Sequence, residues 1–362
     1  MLLLYYLIYR VKIIALIIIF ALFFLRKYLR GGQCKSKHSM EGKVVIITGA
    51  SSGIGKESAI DLVKHGARVI LACRNEKKTK KAMESLNEQE KKLIHYIRLD
   101  LSDFNSIIEF VDTVKKGYIK IDILMNNAGL FPQNYEITKD KMEYYLQTNF
   151  VGHVLLTFLL FDMLDKNDSR IINLSSVAYT ATDYKNDINI KEMYDLTKTE
   201  KKYYKNIQGK SHLYGNTKIL MIYFSKFLQK LCEEKYTYIK SAAVHPGVVD
   251  TEFMRFINNN NFIITYAFQV FIPIMKYFFK TPIDGAQTQL NLCYIPFNEF
   301  ISGGYYSDCK VRNIRYYAND MNKAMECMKL TIEEIKKRFP DTKIFDILGD
   351  IFNKKQNKDI II

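Results

Sequence analysis

Metal-ligand spacing is missing from this sequence. Its six cysteines, Cys34, Cys73, Cys232, Cys293, Cys309 and Cys327, form no CxxC pair and no regular pattern with the six histidines, which argues against a zinc site. What remains is a set of reduced thiols, some of them small buried hydrophobes, in a chain facing the cytosol. A compact basic stripe is missing too. The formal charge of +15 would draw nucleic acid, an anionic membrane face or a phosphorylated ligand. The lysines are scattered, however, without interleaved aromatics on one stretch, and this counts against nucleic acid. No internal repeat is evident. Hydrophobic residues at 48% and charged residues at 25% describe a folded chain, long enough for one large α/β domain with short appendages.

A third absence concerns the N-terminus. Leu2–Tyr9 and Ile13–Leu25 are apolar runs separated by Arg10 and Lys12. The second ends on Phe23, Phe24 and Leu25 with no small-residue cleavage site after it, so a retained anchor over residues 1–30 is predicted in preference to a signal peptide. The longer run rises only about 20 Å as a helix against a hydrocarbon core of roughly 30 Å, so Arg10 and Lys12 must snorkel or the helix must dip in from one side. The heavier basic flank, Arg26 to Lys37, follows the runs and predicts that the domain faces the cytosol, with an endoplasmic reticulum-like membrane as the expected location.

Beyond a linker at 31–42, apolar runs of strand length recur at Lys43–Thr48, Ala67–Cys73, His95–Asp100, Ile121–Asn126, Arg170–Ser175 and Tyr238–Val244, with helical patterns between them. Such alternation predicts a Rossmann-type, doubly wound parallel sheet in a single α/β domain spanning 43–320. Two segments break the rhythm. Residues 183–210, rich in Lys, Asn, Asp and Tyr, read as an exposed insertion. Residues 262–280 are apolar but interrupted by Gln269 and Pro273, which suits a substrate lid or a membrane-contacting segment. Residues 321–362 read as a C-terminal helix and tail.

The chemistry begins after the first strand. Thr48-Gly49-Ala50-Ser51-Ser52-Gly53-Ile54-Gly55 places glycines where the chain turns from strand to helix, so that backbone N–H groups can approach a pyrophosphate at the helix N-terminus. By itself this is a tight turn with or without a ligand. Further on stand Asn126-Asn127-Ala128-Gly129, Asn149 in QTNFVGH, Asn173-Leu174-Ser175-Ser176, Tyr214-Gly215-Asn216-Thr217-Lys218 and His245-Pro246-Gly247 with Thr251. Residues four apart share a helix face, so the Lys218 ammonium can stand beside the Tyr214 phenol. A nearby positive charge favours the phenolate. A lone Tyr-x-x-x-Lys pair is ordinary surface packing, and it is the ordered company of the other motifs that singles this one out.

In that order the motifs resemble the short-chain dehydrogenase/reductase family, whose glycine motif is TGxxxGxG. The resemblance implies Tyr214 as proton donor and acceptor, Lys218 beside the nicotinamide ribose, Ser176 on the substrate oxygen and Asn149 supporting a water linked to the lysine. It implies a cofactor site at Thr48, Gly49, Ser51, Ser52, Gly53, Ile54, Gly55, Asn127, Ala128, Gly129, Pro246, Gly247 and Thr251, with Asp100 near the adenine. The second strand ends Leu71-Ala72-Cys73-Arg74-Asn75 with no acid for a ribose 2′-hydroxyl, whereas Arg74, supported by Lys56, suits the extra phosphate of NADP(H).

GKESAIDLVKHGARVILACRNEKK, the N-terminal anchor and KTPIDGAQTQLNLCYIPFNEFISGGYYSDCK resemble the retinol dehydrogenase branch. That likeness implies an NADP(H)-dependent enzyme interconverting an apolar aldehyde or ketone and its alcohol, held at a membrane, with a homodimer among the assemblies it allows. The interval between Ser176 and Tyr214 is longer than the branch usually carries and leaves the substrate open. Phe131 and Pro132 border the expected entry. The competing reading is a non-catalytic NADP(H)-binding sensor or scaffold; such proteins usually lose the tyrosine or the lysine, and both are present.

Overall fold

The structure is a computed structural model, and it describes residues 2–183, 190–249 and 277–340. Its centre is an eight-stranded sheet of β1 Val44–Thr48, β2 Arg68–Cys73, β3 Ile94–Arg98, β4 Ile123–Asn126, β5 Ser169–Leu174, β6 Ile239–His245, β7 Tyr305–Ser307 and β8 Lys310–Val311. The order across the sheet is β3-β2-β1-β4-β5-β6-β7-β8, and only the β7–β8 pair is antiparallel. Every residue of β1 is buried. Val44 and Ile46 point to one face and Val45 and Ile47 to the other, the two-residue alternation of a strand covered on both sides.

The first face packs on helices Phe104–Gly117, Gly152–Leu159 and Ile207–Lys235, through Phe110, Val111, Val154, Phe224 and Phe227. The second packs on Gly53–Lys64 and Pro282–Tyr294, through Ala59, Leu62, Val63, Ala286 and Leu290. Strand order reverses between β1 and β4, which opens a crevice at their carboxyl ends. Polar side chains stitch the strands together below that crevice. Asn126 Nδ2 donates to Asn173 Oδ1 at 2.8 Å and to Thr157 Oγ1 at 3.0 Å, and Asn173 Nδ2 donates to Ser225 Oγ at 2.9 Å and Ser241 Oγ at 3.1 Å.

The described part of the segment 183–210 is mostly exposed or half-buried, as expected of an insertion, but it is folded and docked on one side. In its described part, helices Lys191–Tyr194 and Leu196–Tyr203 bury Ile190, Met193, Thr199 and Tyr203. Tyr203 and Asp183 both meet Asn216 Nδ2, at 3.1 and 2.9 Å, while Tyr204 donates to Glu143 Oε1 at 2.6 Å. Two short helices divided at Asp195, the cap of the second, give too brief a period to register as one amphipathic stretch. From Ile207 the residues already belong to the helix that carries Tyr214. Thr251 lies outside the described residues, as does the 262–280 segment apart from its last four residues.

The helix Leu2–Leu29 is apolar, and the side chains described along it are almost all exposed. Among the described residues it is the one helix long and apolar enough to cross a membrane. Its base meets the domain where Tyr277 donates to the Leu22 carbonyl at 3.0 Å and Arg30 Nε reaches Asp284 at 3.1 Å. The six cysteines are free, with Cys73, Cys232, Cys293 and Cys327 buried.

Candidate active site

The crevice contains a cavity of about 840 Å³. Its floor is the turn after β1, where Gly49, Ser51, Ser52, Gly53, Ile54 and Gly55 all line the space. Ser52 caps helix Gly53–Lys64 without a side-chain hydrogen bond, so the first N–H groups of the helix have no partner from the cap. Gly55 is required by close approach, since a Cβ there would stand 2.5 Å from Asn127 Nδ2. Thr48 does not line the cavity; it braces the turn from below. Its hydroxyl oxygen accepts from Asn127 N and Ala128 N, each at 2.9 Å, and lies 3.0 Å from His153 Nε2. The hydroxyl proton faces both the Met125 carbonyl at 3.4 Å and Nε2; a neutral His153 with Nδ1–H toward the Asn149 carbonyl at 3.3 Å leaves Nε2 as an acceptor for it. Burial lowers that imidazole to about 3, in keeping with the assignment.

Opposite the turn stand Tyr214, Lys218 and Ser176. Lys218 is buried, and its Nζ donates to the Leu174 carbonyl at 3.0 Å and sits 5.3 Å from the centre of the Tyr214 ring. Gly129 gives it room, because a Cβ there would be 3.1 Å from Nζ. Ser176 accepts from Ala178 N at 3.1 Å and is hydrogen-bonded with the Tyr214 phenol. Phe131 packs on the other side of Tyr214, ring centres 5.6 Å apart.

Asn149 stands behind this group, outside the cavity lining, in a π-turn over Gln147–Val151. Such turns widen a helix by one residue and recur at functional sites. Its amide clamps Leu130, accepting from the backbone N and donating to the carbonyl, both at 2.7 Å, and donates to Thr217 Oγ1 at 3.4 Å.

The far end of the cavity is cationic. Arg74 lines it, held by a 2.6 Å hydrogen bond to the Tyr144 hydroxyl, together with Asn75 and Lys78. Asp100 lines it as well and accepts from Ser102. Asn127, Ala128, Gly129, Pro246 and Gly247 complete the wall.

Comparison with known proteins decides the family. The short chain dehydrogenase family pattern matches residues 43–185. Retinol dehydrogenase 12 of Mus musculus is 36% identical over 288 residues, covering 79% of this chain and 84% of that protein. The chain belongs to the short-chain dehydrogenase family, in its retinol dehydrogenase branch. Retinol dehydrogenase 13 of the same organism is 36% identical over 286 residues, 78% of this chain and 80% of that one. Among solved structures, L-sorbose reductase from Gluconobacter frateurii, complexed with NADPH and L-sorbose, aligns with a TM-score of 0.53 and 23% identity over 74% of this chain and 95% of that one. A Mycobacterium paratuberculosis protein aligns at 0.63 and 23% over 84% and 98%. These last two likenesses speak to the fold. Membership makes the chain an oxidoreductase that acts on alcohols and carbonyls with a nicotinamide cofactor.

Three differences from the sequence reading stand out in this short-chain dehydrogenase. Lys56 is not part of the cavity; Lys78 is the second cation beside Arg74. It was within reach of the sequence, since Asn75 caps the helix Glu76–Ala82 and aims its first turn, with Lys78, toward the end of β2. His245 was also missed. Its Nδ1 accepts from Val177 N at 3.2 Å and Gly247 N at 3.4 Å, joining the Ser176 turn to the Pro246–Gly247 loop. Finally, burial raises the Tyr214 phenol above its ordinary value, against a Ser176 hydrogen bond, and pushes Lys218 down to about 8, a desolvation of both groups that the four-residue spacing alone does not announce.

Proposed function

We propose that the protein interconverts an apolar aldehyde or ketone and its alcohol with NADP(H), at a membrane and on its cytosolic side. The observation that carries this reading is the convergence of Tyr214, Ser176 and Lys218 on one wall of a cavity whose far end holds Arg74 and Lys78. The cavity fits a nicotinamide dinucleotide: two buried polar atoms in lining residues, Asn127 Oδ1 and Thr148 Oγ1, have no partner, as expected where a polar ligand supplies one. The glycine turn would hold the pyrophosphate, Asp100 would border the adenine, and Arg74 with Lys78 would hold a ribose 2′-phosphate. When bound, the cofactor supplies or accepts the hydride.

The protein's own residues manage the proton and the carbonyl. Ser176 Oγ and Tyr214 Oη would both hydrogen-bond the substrate oxygen, and Tyr214 would donate its proton to that oxygen in reduction or take it back in oxidation. Lys218, set four residues on, would hold a charge beside the developing phenolate and reach the ribose. Asn149, by clamping Leu130, would fix the loop that carries Phe131. Exposed Val177 and Val248, with Leu130 and Phe131, give the mouth an apolar lining, which supports a lipid-like substrate such as retinal. The mouse relatives named retinol dehydrogenase support the same class.

NADPH oxidation by purified protein against retinal, fatty aldehydes, steroids and quinones tests the reading. Tyr214→Phe should abolish turnover of every accepted carbonyl while NADPH affinity stays within about threefold. Turnover surviving in that variant overturns it.

A further inference from the structure

Beside the cavity, an ion pair between buried Lys280 and partly exposed Asp308 lies between the stem that follows the N-terminal helix and the loop after β6. Lys280 is 7% exposed, and its Nζ lies 2.6 Å from Asp308 Oδ1. Its backbone N donates to the Val248 carbonyl at 2.8 Å, and it bridges Val249 as a parallel partner. Three glycines crowd this one pair. A Cβ on Gly247 would stand 2.6 Å from Lys280 Cδ, one on Gly31 would stand 2.6 Å from Lys280 Nζ, and one on Gly32 would overlap the Asp308 backbone. Gly32 N also donates to Asp308 Oδ1 at 3.3 Å.

The turn that presents Asp308 is itself unusual. Asp308 and Cys309 join β7 to β8 with φ of 53° and 59°, a left-handed pair for which Asn-Gly is the ordinary choice. Such backbone persists where the surroundings over-determine it, and it concentrates at functional places. Here Cys309 N donates to Thr288 Oγ1 at 3.3 Å and its sulfur donates to the Gln287 carbonyl at 3.4 Å, fastening the turn to the helix Pro282–Tyr294.

We propose that Lys280 and Asp308 are positioning residues that clasp the stem Arg30–Gly32 to the Pro246–Gly247 loop, so that seating of the stem sets the cavity wall at its nicotinamide end. A buried ammonium is costly without its carboxylate, and Lys280 cannot move without disturbing the Gly247 backbone against which it packs. Attachment of the N-terminal helix and the shape of the cofactor site are therefore one mechanical unit. The consequence for catalysis rests on the function proposed above; the clasp does not.

Three full-length variants in detergent separate the possibilities. Gly32→Val collides with the Asp308 backbone while keeping both charges, Asp308→Asn keeps the shape and removes the charge, and Asp308→Ala removes both. Without cofactor, amide exchange at Gly247–Val249 should rise about fivefold or more in Gly32→Val and Asp308→Ala, and less in Asp308→Asn, with β1 and β2 unchanged. In the same variants KM for NADPH should rise about tenfold, with kcat within about twofold and partial recovery in Asp308→Asn. Unchanged exchange at Gly247–Val249, or a rise shared equally by β1 and β2, overturns the clasp. The local rise in a protein that binds neither NADPH nor NADH would uphold the clasp and remove the proposed function instead.

Discussion

Arg74 and Glu143 show how single side chains set behaviour that their types alone do not announce. Arg74 is exposed yet tethered by the Tyr144 hydroxyl, so on the proposed NADP(H) reading its guanidinium would meet the 2′-phosphate at low entropic cost. Arg74→Ala should raise KM for NADPH about tenfold or more, the worth of one charge-assisted hydrogen bond, and leave KM for NADH nearly unchanged; equal effects on the two would show that Arg74 does not read the 2′-phosphate. Glu143, the residue before Tyr144, is buried. Burial raises it from 4.5 to about 7, against the opposing hydrogen bonds from Tyr204 and the Tyr145 and Leu146 amides. Between pH 4.5 and 7 the unfolded chain releases this proton and the folded one keeps it, so stability falls as pH rises through that window. The loss is about 3 kcal/mol at most, at 1.36 kcal/mol per unit. Chemical denaturation at pH 5 and pH 7.5 should show this decline in the wild type and little of it in Glu143→Gln.

Elements differ in how openly the sequence declares them. The turn after β1, the helix bearing Tyr214 and Lys218, and β1 through β6 were legible because each carries its signal within about ten residues: a continuous apolar run, a glycine pair, a four-residue spacing. The docked helices between Ser176 and Tyr214 were not legible. Tyr203, Asp183 and Asn216 meet only after the chain has folded back, and a Lys-rich composition hides the buried face. Strands β7 and β8 escaped for the same reason, being short and recognisable only by their neighbours. Lys280 and Asp308 stand 28 positions apart and find each other across a turn whose second residue, Cys309, holds a left-handed backbone that propensity does not favour. If the docked helices hold the Tyr214 helix, Tyr203→Ala should cost about 3–5 kcal/mol, the usual range for emptying a buried aromatic site. Urea titration measures it, and a loss under about 1 kcal/mol would mean that the segment is peripheral.

At the level of the whole molecule, the apolar helix Leu2–Leu29 exposes its side chains beside the α/β body, among the described residues, with its base fixed near Tyr277 and Asp284. Deleting residues 2–29 while keeping Arg30 onward should move the protein from the membrane fraction to the soluble one in vesicle flotation, with thermal stability within a few degrees of the full chain. Loss of folding would show that the helix is structural rather than an anchor. The polar stitching of the sheet bears on how this body assembles. Strand pairing by hydrophobicity alone is indifferent to which valine faces which isoleucine, and β1 and the first three residues of β4 are nearly uniform in that respect. Asn126 and Asn173 are not indifferent. A slip of β4 or β5 by one position would turn that strand's amide to the opposite face, parting Asn126 from Thr157 or Asn173 from Ser225 and Ser241, and breaking the bond between the two, at roughly 1–3 kcal/mol for each polar group stranded in a dry interior. The two asparagines thus proofread the alignment of the strands, rejecting the near-miss pairings that a greasy parallel sheet would otherwise accept.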